Sequence, residues 1–155
     1  TQDKFAGEWM LTGDTGSFDD DRYIWFGGRK DDVITSAGYR IGPAEIEDCL
    51  LKHPAVALSA VIGAPDELRG SIVKAFIVLR EGYTASPQLA DEIKEFVKHR
   101  LAAHEYPRAI EFIAELPMTV TGKVKRGDLR RIEVEKGSGD RDSRDKVERS
   151  REFSS

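Results

Sequence analysis

The stretch Gly27-Gly28-Arg29-Lys30-Asp31-Asp32-Val33-Ile34-Thr35-Ser36-Ala37-Gly38-Tyr39-Arg40-Ile41-Gly42-Pro43-Ala44-Glu45-Ile46-Glu47 divides the chain into two unequal parts. Gly27-Gly28 brings free dihedrals into the segment, and Gly38 can take the positive φ of a tight turn. Arg29, Lys30, Asp31 and Asp32 are too polar for a core, so residues 29–32 read as a solvated joint. Val33 to Thr35 and Tyr39 to Ile41 suit a small hairpin around Ser36-Ala37-Gly38. Pro43 fits the first turn of a helix, with Glu45 and Glu47 near its positive end. Both glutamates read as helix N-terminal residues rather than as a general acid or base.

Toward the C-terminus the pattern is that of a packed domain. The helix from Pro43 to Lys52 places Ile46, Cys49 and Leu50 on one face, and His53-Pro54 stops it. Val56 to Gly63 reads as a core strand, Ala64-Pro65-Asp66 as a turn, and Ser71 to Arg80 as an antiparallel second strand. Ser86 as N-cap and Pro87 at the first helical position open the longest helix. Leu89, Ile93, Phe96, Val97 and Leu101 share one of its faces, and Pro107 lies beyond its end. Ala109 to Ala114 is a third strand, Leu116 to Lys125 a loop, and Arg126 to Lys136 a last short helix. The fold class is α+β: a small three-stranded sheet with a hairpin, flanked by about three helices.

The two ends read differently. Trp9-Met10-Leu11 and Tyr23-Ile24-Trp25-Phe26 look like two short strands around the turn Thr12-Gly13-Asp14-Thr15-Gly16. A two-stranded piece is marginal alone, and its aromatic residues call for a partner surface. Residues 137–155 keep only Val147 and Phe153 as sizeable apolar groups and should be disordered or at most a solvated helix. The expected organisation is a hairpin stub over 1–28, a joint over 29–32, a domain over 33–136 and the charged tail.

Bulk properties narrow the function. A chain of 155 residues with 39% hydrophobic and 34% charged residues is a small soluble domain with appendages. A net charge of -4 with interspersed signs gives no basis for nucleic-acid binding. No apolar run approaches the roughly 20 residues of a membrane span, and no secretion signal is visible. Cys49 is the only cysteine, which excludes an internal disulfide; with no signal segment, a cytoplasmic protein is expected. His53, His99 and His104 lack metal-ligand spacing, and no metal site is expected.

Two segments go further. The ordered pattern Gly-Arg-x-Asp-Asp-x-Ile-x-x-x-Gly-Tyr-Arg-Ile-Gly-Pro-Ala-Glu-Ile-Glu over residues 28–47 resembles the hinge of adenylate-forming enzymes: acyl-CoA synthetases, adenylation domains of peptide synthetases, and luciferases. Leu116-Pro117-Met118-Thr119-Val120-Thr121-Gly122-Lys123 resembles that superfamily's Pro-x-Thr-x-x-Gly-Lys signature, with Met118 in place of the commoner basic residue. On sequence alone Lys123 is one more surface lysine. The resemblance implies instead that it is the lysine that binds the substrate carboxylate and α-phosphate during adenylation.

The same resemblance implies other roles. Asp14, in Thr12-Gly13-Asp14, matches the aspartate that accepts from nucleotide ribose hydroxyls, and Arg29 an arginine on the nucleotide sugar or phosphate. Asp31 matches the hinge position between the two half-reactions, residues 29–32 the hinge, and the hairpin stub over 1–28 the end of the large N-terminal domain. Gly38 matches a glycine beside the pantetheine tunnel, and Arg40 a residue pairing with coenzyme A phosphate. Arg69, Tyr106 and Lys98 resemble nucleotide-contacting positions of medium-chain acyl-CoA synthetases; a strand-turn arginine and a helix-cap aromatic describe Arg69 and Tyr106 equally well.

The implied reaction joins a carboxylic acid to coenzyme A at the expense of ATP, leaving AMP. The phosphate-binding loop, adenine pocket and acyl pocket have no counterpart in the sequence. Their expected location is an N-terminal AMP-binding domain upstream of Thr1, which would be this chain's partner and help hold Mg2+. The chain therefore reads as a fragment, inactive alone. The alternatives are the end of a carrier-protein-loading adenylation domain, or a non-catalytic module that binds a partner domain.

Overall fold

Two strands with opposite faces set the architecture. In the computed structural model, which describes residues 5–137, β7 (Val56–Asp66) pairs antiparallel with β8 (Gly70–Leu79), and β8 pairs parallel with β9 (Ala109–Phe112). Parallel neighbours need a crossover, and α2 (Pro87–Lys98) supplies it. Successive side chains point to opposite faces of a strand. Val61, Val73, Ala75 and Ile77 thus face one core with Ile46, Cys49 and Leu50 of α1 (Pro43–Leu50) and with Ile93 and Val97 of α2. Ala60, Ile62 and Phe76 face a second core with Leu116 and with Leu129 of α3 (residues 126–137). Helices therefore cover both faces of the mixed sheet, in agreement with the expected α+β class.

The local signals hold where chemistry is strong. Ser86 caps α2, its Oγ accepting from the Leu89 N–H at 3.1 Å. β5 (Ile34–Ser36) and β6 (Tyr39–Ile41) pair around Ala37 and Gly38, whose φ values of 48° and 85° give the doubly left-handed turn of a two-residue hairpin. Cys49 is buried, and burial pushes its thiol pKa up, as for a structural thiol.

Three expectations need correction. Ala64-Pro65-Asp66 is strand, with Pro65 opposite Ser71, and the reversal falls at residues 67–69. β7 lies at the sheet edge, where a proline sacrifices no ladder hydrogen bond. Asp66 makes the turn itself, its Oδ1 accepting from Leu68 N at 3.1 Å and Arg69 N at 2.8 Å.

The N-terminal strands also pair otherwise than expected. β1 (Phe5–Ala6) pairs with β2 (Trp9–Met10), whereas β3 (Asp14–Phe18) pairs with β4 (Ile24–Arg29). Asp19 caps the turn, accepting from Asp21 N, Tyr23 N and, at 2.7 Å, Trp25 Nε1. Gly16 sits at a bulge where a Cβ would stand 2.9 Å from the Trp25 carbonyl oxygen. β4 runs through Gly27-Gly28 to Arg29, so the pair expected to bring free dihedrals is strand, and Arg29 of the expected joint is strand too.

Third, Glu47 does not serve the helix N-terminus; only Glu45 is in the first turn of α1. Glu47 instead accepts from Val61 N at 2.8 Å and from Arg126. Residues 138–155, where a disordered tail was expected, lie outside the described residues, and α3 runs on to Gly137.

Candidate functional site

Lys123 sits at the tip of a built hairpin rather than on a loose loop. Met118 and Val124 form a bridge across its base, and Lys125 N donates to the Pro117 carbonyl at 2.8 Å. At the tip, Thr119 N donates to the Lys123 carbonyl at 2.8 Å, and Lys123 N donates to Thr119 Oγ1 at 3.0 Å. Gly122 takes φ 78°, which explains why glycine precedes the lysine. Leu116 before the hairpin and Leu129 after it are both buried in the second core, so the tip is carried on two anchors. The Lys123 side chain is exposed and makes no ion pair among the described residues. A compact, unneutralised ammonium in this position can meet an oxyanion brought by a second surface.

Asp14 and Arg29 are directly opposite in the β3–β4 register. Both are exposed, and Arg29 lies over Gly13, with Nη2 3.7 Å from where a Cβ there would be. The carboxylate can accept from vicinal hydroxyls while the guanidinium addresses a neighbouring oxygen of the same ligand. Phe18, Tyr23, Ile24, Trp25 and Phe26 on this hairpin are exposed. By the register Phe18, Ile24 and Phe26 share one face of the hairpin, and such an exposed apolar face suits contact with another surface.

A third group gathers at the β5–β6 turn. Ala37 N donates to the Arg69 carbonyl at 3.1 Å, which joins the turn carrying Gly38 to the β7–β8 reversal. Ser36, Ala37, Tyr39, Arg69, His104 and Arg108 line one concavity there. Tyr39 and His104 stack with centroids 4.2 Å apart and planes 13° from parallel. Two guanidinium groups beside a flat aromatic pair suit a nucleotide bearing phosphates. A Cβ added at Gly38 would meet nothing within 4 Å, so its approach to a ligand is open, and its φ alone demands glycine.

The sequence-derived residues thus fall into separate groups. Tyr106 is half-buried, with the Arg108 guanidinium 5.2 Å and the Lys98 ammonium 5.8 Å from its ring centroid. It supports the arginine from behind rather than offering an open face. Lys98 is held by Glu95 at 2.9 Å, and that hydrogen bond raises its pKa. Arg40 is exposed on β6, outside the residues lining the concavity. Tyr39, His104 and Arg108 were not expected there. Arg108 directly follows Tyr106-Pro107, but the Tyr39–His104 stack joins positions 65 residues apart, which no local pattern announces.

Asp31 is exposed in the single 3₁₀ turn Lys30–Asp32. Its carbonyl accepts from Arg130 Nη1 at 3.3 Å. Asp32 is mostly buried and pairs with Arg126 at 3.2 Å and Arg130 at 3.1 Å. The joint, read from its polar residues as solvated, is therefore tied on its C-terminal side. Among the described residues no cluster of histidine, cysteine, aspartate and glutamate could hold a metal ion, and no helix is long and apolar enough to cross a membrane. His53 is buried and structural, its Nδ1 accepting from Ala55 N at 3.2 Å.

A sheet covered by helices on both faces, a hairpin that carries the exposed Lys123, and a charged 3₁₀ turn before the domain make up a small α+β unit. The chain belongs to the AMP-binding enzyme C-terminal domain family, whose model matches residues 45–123. It is 54% identical over 135 residues to acyl-coenzyme A synthetase ACSM3, mitochondrial, of Rattus norvegicus, covering 86% of this chain and 23% of that protein. It is 49% identical over 134 residues to 4-hydroxybutyrate–CoA ligase 1 of Metallosphaera sedula, covering 86% of this chain and 24% of the ligase. The crystal structure of Brucella canis acyl-CoA synthetase matches with TM-score 0.69 and 54% identity, covering 86% of this chain and 25% of that one. The chain thus spans about a quarter of the length of the relatives it matches.

Proposed function

We propose that this chain is the C-terminal domain of an ATP-dependent acyl-CoA synthetase and serves both half-reactions from different surfaces. The observation that carries this reading is the exposed Lys123 ammonium, without an ion pair among the described residues, at the tip of an anchored hairpin. In the first step a carboxylate oxygen attacks the α-phosphorus of ATP and pyrophosphate leaves. Charge grows on the phosphate oxygens, where a positioned ammonium stabilises the transition state. Asp14 and Arg29 would hold the nucleotide sugar and phosphate, and Asp31 marks the turn about which the domain rotates.

In the second step the thiol of coenzyme A attacks the acyl carbonyl and AMP leaves with the bond electrons. Gly38 would admit the pantetheine arm, with Arg69 and Arg40 on the nucleotide end. Arg108 and the Tyr39–His104 stack extend that list. Two guanidinium groups beside a stacking surface favour a free nucleotide-bearing thiol over a carrier protein. The exposed aromatic hairpin would be the end of the N-terminal AMP-binding domain and pack within it, and that domain with the ATP phosphates would hold Mg2+. The cytoplasmic placement stays part of this proposal, although the rat relative's name includes "mitochondrial".

The test is ATP–pyrophosphate exchange in a full-length enzyme containing this domain. Lys123→Ala should lower exchange by about 10²- to 10³-fold, the size of losing one preorganised charge-stabilising group. Exchange that survives Lys123→Ala, or that the 155-residue chain performs alone, overturns the reading.

A further inference from the structure

We infer that Arg126 is a positioning residue that joins the Lys123 hairpin to the end of the hinge, so that both move as one body. This inference rests on the functional reading above. Arg126 stands three residues after Lys123, in the first turn of α3, where its guanidinium reaches two other elements at once. Nε and Nη2 donate to the two oxygens of Glu47 on α1 at 3.2 and 2.6 Å, and Nη1 donates to Asp32 Oδ2 at 3.2 Å. A planar fork with fixed donor directions can hold this three-way arrangement, which an ammonium cannot.

The neighbouring contacts reinforce the same connection. One turn further along α3, Arg130 Nη1 donates to Asp32 Oδ1 at 3.1 Å and to the Asp31 carbonyl at 3.3 Å. Glu47 in turn accepts from Val61 N on the edge strand, so the network is rooted in the sheet. Burial opposes charge on Arg126, but hydrogen bonds and charge from Glu47, then Asp32, outweigh it and raise its pKa. The guanidinium is therefore a fixed cation.

Two consequences follow. With Asp32 and the Asp31 carbonyl held, rotation is confined to the backbone on the N-terminal side of Asp32, and Lys123 follows it without slack. The face around Gly38 and Arg69 is built by other contacts, including Ala37 N to the Arg69 carbonyl and Arg108 N to the Val73 carbonyl at 2.9 Å. Loss of Arg126 should then harm adenylation and spare thioester formation.

The experiment separates the half-reactions of a full-length enzyme containing this domain. Arg126→Ala should lower ATP–pyrophosphate exchange by about 10- to 100-fold, the scale of an ångström-sized misplacement. Thioester formation from a supplied acyl-adenylate should stay within about twofold under the same principle. Asp32→Asn should reproduce the defect, and the double variant should lose less than the product of the two single losses, since contacting residues are not additive. Hydrogen exchange should quicken at residues 119–125 and at the Val33 amide together, with the Ala75 and Ile77 amides unchanged. Equal losses in both half-reactions, additive losses in the double variant, or quickening of only one segment would overturn the inference. Lys123→Ala is run alongside: if exchange withstands it, the functional reading fails, whatever Arg126→Ala does.

Discussion

Glu47→Ala offers a sharp test of how the domain is held together, because Glu45, two residues away, is its natural control. The Glu47 side chain is 14% exposed and accepts three hydrogen bonds, from Val61 N at 2.8 Å and from Arg126 Nε and Nη2 at 3.2 and 2.6 Å. Bonds to a charged group contribute about 1.5–3 kcal/mol each, and removing one member of a buried pair costs about 3–5 kcal/mol. Arg126 keeps Asp32 and is 22% exposed, so water and the remaining partner recover part of that loss. The expected cost is about 2–3 kcal/mol, below the range for a fully buried pair. Glu45 is exposed in the first turn of α1, where a carboxylate meets the helix dipole, so Glu45→Ala should cost less than about 0.5 kcal/mol.

Urea unfolding of the 155-residue chain measures both. It should be followed by far-ultraviolet circular dichroism, since Trp9 and Trp25 lie on the N-terminal strands and do not report on the core. With m of about 1–3 kcal/mol/M, Glu47→Ala should lower the midpoint by roughly 1 M at unchanged m. If the Glu47 and Glu45 variants unfold at the same midpoint, the network is a surface ornament, and the positioning argument for Arg126 falls with it.

Two further outcomes are expected. Leu129→Ala empties a buried position against Ala60, Ile62 and Phe76 and should cost about 2–5 kcal/mol in the same unfolding experiment; a loss below about 1 kcal/mol would mean that α3 is not a core element. A second charged cluster fixes the other end of α3: Lys74 pairs with Glu133 at 2.6 Å and Glu111 at 2.9 Å, and Glu111 also pairs with Lys136. For Glu111 burial works to raise the pKa, but hydrogen bonds from Lys136 and Lys74 prevail and depress it. Its stabilisation is therefore present above the unfolded value of about 4.3 and is lost as pH falls through the folded one. The stability difference between the wild type and Glu111→Gln should be constant near neutrality and shrink below about pH 4; a gap that is unchanged there would refute the assignment. Lys74 is shifted upward, because its bonds to Glu133 and Glu111 outweigh desolvation, so its contribution fades only on the alkaline side of about 10.4.

Local chemistry was largely legible. Ser86-Pro87 announces a capped helix because both residues act within one turn, and Ala37-Gly38 sits at a reversal that needs positive φ. Leu116 and Leu129 could be read as apolar but not assigned to a common core, since the second face of the sheet is created only when α3 folds onto it. Pro65 misled because the chain does not reveal in advance which strand will lie at an edge. Glu47 misled for a related reason: a carboxylate near a helix start has a sufficient local explanation until an arginine 79 positions later arrives beside it.

The elements, their apolar faces and the two glycine-marked segments around Gly38 and Lys123 can be read from the chain, because these depend on neighbours within a few residues. Which of them work together is set by the folded arrangement. It set Asp14 opposite Arg29, stacked Tyr39 on His104 beside Arg69 and Arg108, and tied Asp32 to Arg126. The Asp14–Arg29 pairing depends on hairpin register, and the other two join distant parts of the chain through sheet register and helix docking, which are properties of the folded whole.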